Sequence, residues 1–345
     1  MLRVLERIRE EDGFLPFSIF MDMALFDPEF GYYTASMPPM GKGADFITSP
    51  EVSPLFGRAI ARAIIPFLRA TEGDILELGP GTGALACAVA EALSQRGEPW
   101  GRFFLCERSE SLKLLQKEKI SCLARQAQAR FSWVDACPSG FRGVVLANEF
   151  FDALPVEWLA WKEEGLCFRG VAEKDGTALT LAERLAPSKI LAAVEHLGIS
   201  PPYLSEVGLA GPRVLAELCQ RMEKGAIFIF DYGYAEEEYY APERNKGTLM
   251  CHFRGVPHED PLLWPGLGDI TAHVDFTALA RVARGAGFLP RAYTSQARFL
   301  IESGILEELG AVEMERYPSC AAQVKLLLHP GAMGERFRAL VLEKP

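Results

Sequence analysis

An α/β fold is predicted for this chain of 345 residues, with a parallel sheet covered by helices on both faces. Three observations predict it. From Asp74 onward, short apolar runs at 75–78, 102–106, 131–134 and 143–147 alternate with helical segments at 84–95 and 109–128. Strands separated by helices pair in parallel, and burial on both faces makes each strand an almost unbroken apolar run. A glycine turn at 79–83 leaves the first run and opens the first helix. The pattern then resumes, after long interruptions, at 226–230, 288–294 and 337–342.

Taken in order, the elements divide the chain into an N-terminal helical arm or cap, 1–72, and a core, 73–345. In the arm, Leu2, Leu5 and Ile8, then Ile19, Met23 and Phe26, recur at helical spacing. Residues 31–54 are rich in Gly and Pro, and 55–68 return to the helical pattern. Within the core, about 80 residues separate the fourth and fifth apolar runs, more than one crossover helix needs. Segments 156–170 and 177–185 inside that interval alternate with period two, as antiparallel strands do, so an insertion at about 156–205 is expected over the sheet. A long irregular loop at 232–274 follows, then a helix at 276–284 that Asp275 can cap. Sheets of this kind bind ligands beyond the carboxyl ends of their strands. The loops at 79–83, 107, 135, 148–157 and 231–273 should therefore face one crevice.

The composition narrows the partners. Acidic side chains number 46 and basic ones 36, a net charge of −10, which disfavours nucleic acid and anionic lipid and favours cationic partners. No window approaches the roughly 18 apolar residues of a membrane span, and the most apolar helix, 59–68, is broken by Arg62 and Pro66. The N-terminus carries Glu6, Glu10, Glu11 and Asp12 and has no apolar signal core, which fits neither a signal nor a transit peptide; a cytoplasmic location is expected. The eight cysteines contain no CxxC pair and read as reduced core residues. Adjacent Cys251 and His252 do not converge easily and His258 adds no suitable fourth ligand, so no metal site is expected.

The strongest motif is Glu77-Leu78-Gly79-Pro80-Gly81-Thr82-Gly83. Glycines let the backbone turn tightly and approach a ligand, and free N–H groups at a helix start favour an anion. A dinucleotide fingerprint, GxGxxG, would place its third glycine at position 84, which is Ala84. The spacing here is GxGxG, and Glu77 would repel a pyrophosphate. An acidic residue beside a glycine turn suits an amino-acid moiety, whose ammonium meets the acid and whose carboxylate meets the turn. That describes the methionine end of S-adenosylmethionine (SAM). Glu107, ending the second strand, can accept hydrogen bonds from both ribose hydroxyls, and Asp135, ending the third, can meet the adenine. A Rossmann-like SAM-dependent methyltransferase sheet is the fold expected.

The glycine loop, together with Gly31-Tyr32-Tyr33, the run 43–51 (GADFITSPE), Phe56-Gly57, the run 148–155 (NEFFDALP), Asp231-Tyr232-Gly233 and the run 269–276 (DITAHVDF), resembles the MidA-like methyltransferases. Ala44 departs from the glycine expected before Asp45. The family includes the mitochondrial complex I assembly factor that methylates arginine on a complex I subunit. The resemblance implies a bacterial-type protein arginine methyltransferase with a protein substrate bearing an accessible arginine. The arm, 1–72, is expected to bring Asp45 to Glu51, Thr48 among them, toward the cofactor.

Asn148 and Glu149 follow the fourth strand, at the crevice edge where such enzymes present the acceptor, and Asp152 comes three residues later. A guanidinium stays protonated at neutral pH and resists approach to a sulfonium. Two like charges at 4 Å repel by about 4 kcal/mol at an effective dielectric near 20, so a site of this kind needs carboxylates. Arginine methyltransferases place two glutamates on the loop after this strand. Glu149 and Glu157 come close to that arrangement, but Glu157 reads as pointing outward from a strand, so Glu149 and Asp152 are taken as the pair. His273, between Asp269 and Asp275, is a candidate proton acceptor. A methyltransferase for a small amine and a SAM-binding assembly scaffold without turnover are the alternatives. The sequence does not name the target protein, the degree of methylation or the oligomeric state.

Overall fold

The computed structural model describes residues 2–34 and 47–345. Seven strands form the central sheet: β1 Asp74–Leu78, β2 Phe103–Cys106, β3 Phe131–Val134, β4 Phe141–Asn148, β5 Met222–Tyr234, β6 Leu289–Ser295 and β7 Phe337–Lys344. Their spatial order is β6-β7-β5-β4-β1-β2-β3, and Val274–Asp275 pairs on the far end of β5. The strands β5, β4, β1, β2 and β3 are mutually parallel. The last strand departs from the all-parallel expectation: β7 runs antiparallel to β5 and β6, between which it inserts.

Alternation along the strands divides the core in two, because successive side chains point to opposite faces. Ile75, Phe103, Leu105, Val144, Leu146 and Phe228 pack against helices Pro54–Thr71 and Ala84–Gln95 through Phe56, Ile60, Leu85 and Val89. Leu76, Leu78, Val145, Ala147, Ile227 and Ile229 pack on the other face against Leu215, Leu218 and Leu279. Burying each such aliphatic side chain contributes about 1.5–3 kcal/mol, so both helical layers are held by apolar area. The segment expected as one helix at 109–128 is two, Glu110–Ser121 and Arg125–Gln128. Leu123 and Ala127 of the broken region still pack on the same core, which is why the apolar periodicity concealed the break.

The segment between β4 and β5 folds as an antiparallel sheet: Gly165–Lys174 lies between Glu157–Lys162 and Leu15–Pro16, and it also pairs Ala178–Leu185, while Tyr203–Val207 flanks Glu157–Lys162. The arm therefore supplies one of its strands. Helix Phe17–Phe26 packs Phe17 edge-on against Trp158 at 5.1 Å, joining the arm to this second sheet. The loop expected to be irregular holds a small sheet of Met250–Phe253, Val256–His258 and Asp269–Thr271. Asp275 caps helix Phe276–Gly285 by accepting from the Ala278 N–H. Among the described residues no helix is long and apolar enough to cross a membrane, and all eight cysteines are free thiols.

Candidate functional site

A cavity of about 1290 Å³ opens at the carboxyl ends of β1 to β4. One wall is the glycine turn, where Gly79, Gly81 and Gly83 all take positive φ values of 58°, 52° and 81°. At Gly79 a Cβ would come 2.9 Å from the Phe150 ring, so only glycine lets that ring pack on the turn. Glu77, Gly79, Pro80, Gly81, Thr82, Glu107, Asp135, Asn148 and Thr48 line this one cavity, while Gly83 begins the helix behind it.

The residues present fit the methionine and ribose ends of SAM. Two buried acceptors of residues on the wall, Glu77 Oε2 and Asn148 Oδ1, receive no hydrogen bond among the described residues. Burial, with Glu107 nearby, holds the Glu77 carboxyl well above the usual carboxylate range. An ammonium placed between these oxygens would satisfy both and restore the charged form. The Glu107 carboxylate is already oriented, accepting from the Ser109 N–H at 2.8 Å and from Gln116 Nε2 at 3.2 Å. Ionised carboxylates accept more than one bond per oxygen, so capacity is left for ribose hydroxyls.

Gln116, which no motif spacing points to, braces two of the lining residues from behind. It is fully buried, donates to the Gly81 carbonyl at 2.7 Å, and accepts from Trp133 Nε1 at 2.7 Å. Lys119 also has no motif signal, whereas Glu51 closes the run 43–51 that the sequence singles out. Lys119 Nζ lies 3.0 Å from Glu51 and 2.9 Å from Thr82 Oγ1, and Thr82 also donates to Glu51, tying the arm to the glycine turn. The Glu51 end of the run 43–51 is thus at the cofactor loop, whereas Gly43, Ala44, Asp45 and Phe46 lie outside the described residues.

The carboxylates beyond Asn148 are distributed differently from the expectation. Glu149, with φ 50°, leaves β4 and lines the cavity. Its Oε1 accepts from the Ser49 N–H and from Asn148 Nδ2, both at 3.0 Å, and burial nevertheless pushes the carboxyl up to about 7. Asp152 does not line the cavity. It lies beneath the turn beside Asp231, whose Oδ2 accepts from the N–H groups of Phe151 at 2.9 Å and Asp152 at 3.3 Å. Burial, then Asp231, Glu149 and Asp269, raise the Asp152 carboxyl far above its ordinary value. Glu157, expected to point away, lines the cavity instead: Oε1 accepts from Ser18 Oγ at 2.9 Å and Oε2 is buried without a partner among the described residues. Its strand starts at the cavity rim, so the first side chain turns inward.

His273 lies behind the turn in a separate small cavity with Phe151 and Leu154, stacked on Tyr234 at 5.3 Å. Burial and Arg244 push its imidazole down to about 4, so it is neutral near pH 7. Cys251 and His258 oppose each other across their strand pair. Among the described residues no group of three His, Cys, Asp or Glu side chains could hold a metal ion.

The profile of the family described as "Putative S-adenosyl-L-methionine-dependent methyltransferase" matches residues 59–294. The chain is 30% identical to the human "Protein arginine methyltransferase NDUFAF7, mitochondrial", over 99% of this chain and 83% of that protein. The identity to the Danio rerio protein of the same name is 29%, over 92% and 81% of the two chains. Among solved structures, a Burkholderia thailandensis protein bound to S-adenosyl-homocysteine is similar with a TM-score of 0.94 and 36% identity, covering 99% of this chain and 91% of that one. With the glycine turn, the two unpartnered acceptors and the strand-end acids gathered on one cavity, the chain belongs to this family of SAM-dependent methyltransferases.

Proposed function

We propose that the protein methylates an arginine side chain of a protein substrate and that Glu149 and Glu157 hold the guanidinium. The observation that carries this is that both carboxylates, from opposite ends of the loop after β4, line the cavity that also holds the glycine turn. Both hydrogen bonds to Glu149 fall on Oε1, and Glu157 Oε2 is buried with no donor among the described residues, so one oxygen of each carboxylate is left to take a guanidinium N–H. A guanidinium offers five N–H donors in a planar fork and fits two such acceptors, and the paired negative charge offsets its repulsion of a sulfonium. The relatives named protein arginine methyltransferases support the same substrate class, and the family resemblance singles out a respiratory complex I subunit as the target to try first.

Bound SAM supplies the electrophilic methyl group. Glu77 and Asn148 would hold its ammonium, Glu107 its ribose and Asp135 its adenine. Glu149 orients the accepting nitrogen and takes the proton that this nitrogen sheds as it gains the methyl group. Incubating the enzyme with isotopically labelled SAM and proteins of a cell lysate, followed by mass spectrometry of digests, tests the proposal. Label on the ω-nitrogens of arginine is expected; label confined to small amines, or none, contradicts it.

A further inference from the structure

Glu149 is held from a distance of 100 residues in sequence. Its Oε1 accepts the N–H of Ser49, a residue of the arm that is fully buried. The Ser49 hydroxyl in turn donates to Gln296 Oε1 at 3.1 Å, and Gln296, also fully buried, donates from Nε2 to the Leu327 carbonyl at 3.3 Å. Two residues further along the arm, Glu51 is fastened to Lys119 and Thr82. The short segment carrying Ser49 is therefore pinned to the C-terminal helices through Gln296 and to the cofactor loop through Glu51.

We infer that Ser49 and Gln296 are positioning residues for methyl transfer: the Gln296 carboxamide fixes the Ser49 hydroxyl, and the Ser49 amide then fixes Oε1 of Glu149 so that Oε2 faces the acceptor. This rests on the arginine reading, since it assigns a task to the same carboxylate. The argument is geometric. An unheld glutamate has three side-chain torsions and would spread over several rotamers. With Oε1 held by two donors, the Ser49 amide and Asn148 Nδ2, the carboxylate loses most of its rotational freedom and the second oxygen is fixed with it. A positioned carboxylate is what an in-line transfer requires, because small misplacements of a reacting group cost large factors in rate.

The test compares Ser49→Ala, which removes the hydroxyl and leaves the amide, with Ser49→Thr, which restores the hydroxyl, and with Gln296→Leu. Two readouts apply: transfer from labelled SAM to a degenerate peptide library containing one arginine, and a carbon-13 NMR titration of the Glu149 carboxyl, assigned by difference from Glu149→Gln. A loosened N–H donor stabilises the carboxylate less. Ser49→Ala should therefore raise the titration midpoint by about half a unit and lower kcat/KM for the peptide roughly tenfold, with S-adenosyl-homocysteine affinity unchanged. Ser49→Thr should return both toward the wild-type values. Because Ser49 and Gln296 act through one hydrogen bond, the double variant should be no slower than the slower single one. Wild-type titration and rate in Ser49→Ala overturn the inference, as does a shifted midpoint with an unchanged rate. Full transfer by Glu149→Gln in the same assay overturns the arginine reading and this inference together, whereas a crippled Glu149→Gln beside a normal Ser49→Ala overturns this inference alone.

Discussion

Gln116 reaches from its helix to the Gly81 carbonyl, 2.7 Å away, and so binds the centre of the glycine turn to the next helix of the sheet. The same Nε2 also donates to Glu107, so one carboxamide orders both the methionine and the ribose ends of the cofactor site. Replacing Gln116 by Leu keeps the volume but takes away the partner of the half-buried Trp133 N–H and frees both groups. S-adenosyl-homocysteine affinity should fall at least about tenfold, the equivalent of roughly one or two lost hydrogen bonds. Titration calorimetry checks it, and wild-type affinity would remove Gln116 from the account.

Gly81→Val tests the turn itself. At φ 52° a β-branched residue is strained, and its side chain would stand on the wall that the ligand must approach. Loss of S-adenosyl-homocysteine binding with a native circular dichroism spectrum is the expected outcome; retained binding would mean that the ligand does not approach this backbone.

Asp231 holds the turn that carries Glu149. It is fully buried and accepts from the N–H groups of Phe151, Asp152 and Tyr232. In Asp231→Asn one oxygen becomes an NH₂ group facing backbone donors, which should cost roughly 1–3 kcal/mol and slow methyl transfer. Cofactor affinity should stay close to that of the wild type, because Asp231 does not line the cavity. Thermal unfolding and calorimetry together separate this from general collapse, in which both would fail.

The Glu149 carboxyl gives a pH signature. Burial raises it from 4.5 to about 7, so the folded state holds its proton more tightly than the unfolded chain does. Above pH 7 the folded protein carries an unfavourable buried charge; this burden shrinks as the pH falls from 7 toward 4.5 and vanishes below. Glu149→Gln removes it, so the variant should be more stable than the wild type at pH 8, by at most roughly 3 kcal/mol at 1.36 kcal/mol per pKa unit, and the gap should close near pH 4.5. Capture of a cationic arginine needs the carboxylate, so kcat/KM should rise through about pH 7. A pH-independent stability difference would contradict the burial argument.

The legible part of the site is what the alternation of strands and helices places by itself. Glu77, the glycine turn, Glu107 and Asp135 end successive strands, and the alternation of strands and helices alone brings their ends together. What stayed hidden depends on contacts between distant segments. Nothing near Gln116 announces that its side chain reaches Gly81, and nothing near Ser49 points to Glu149 or Gln296. Sequence favours Asp152 over Glu157 because the alternation of 156–161 reads as a strand whose first side chain points outward. The tight turn buries Asp152 against Asp231, while the strand beginning at Glu157 brings its carboxylate back to the cavity. The antiparallel placement of β7 was likewise illegible, because an apolar run carries no record of its direction.

The rate at which Glu149→Gln forms ω-N-methylarginine on a protein substrate, measured by mass spectrometry beside its calorimetric affinity for S-adenosyl-homocysteine, tests the central claim most directly. The variant keeps the shape of the side chain and its acceptor for the Ser49 N–H but loses the charge that meets the guanidinium. Transfer should fall by roughly 10²–10³, with the affinity within about twofold of the wild type. Near-normal transfer to arginine, or a parallel loss of cofactor binding, would contradict the account.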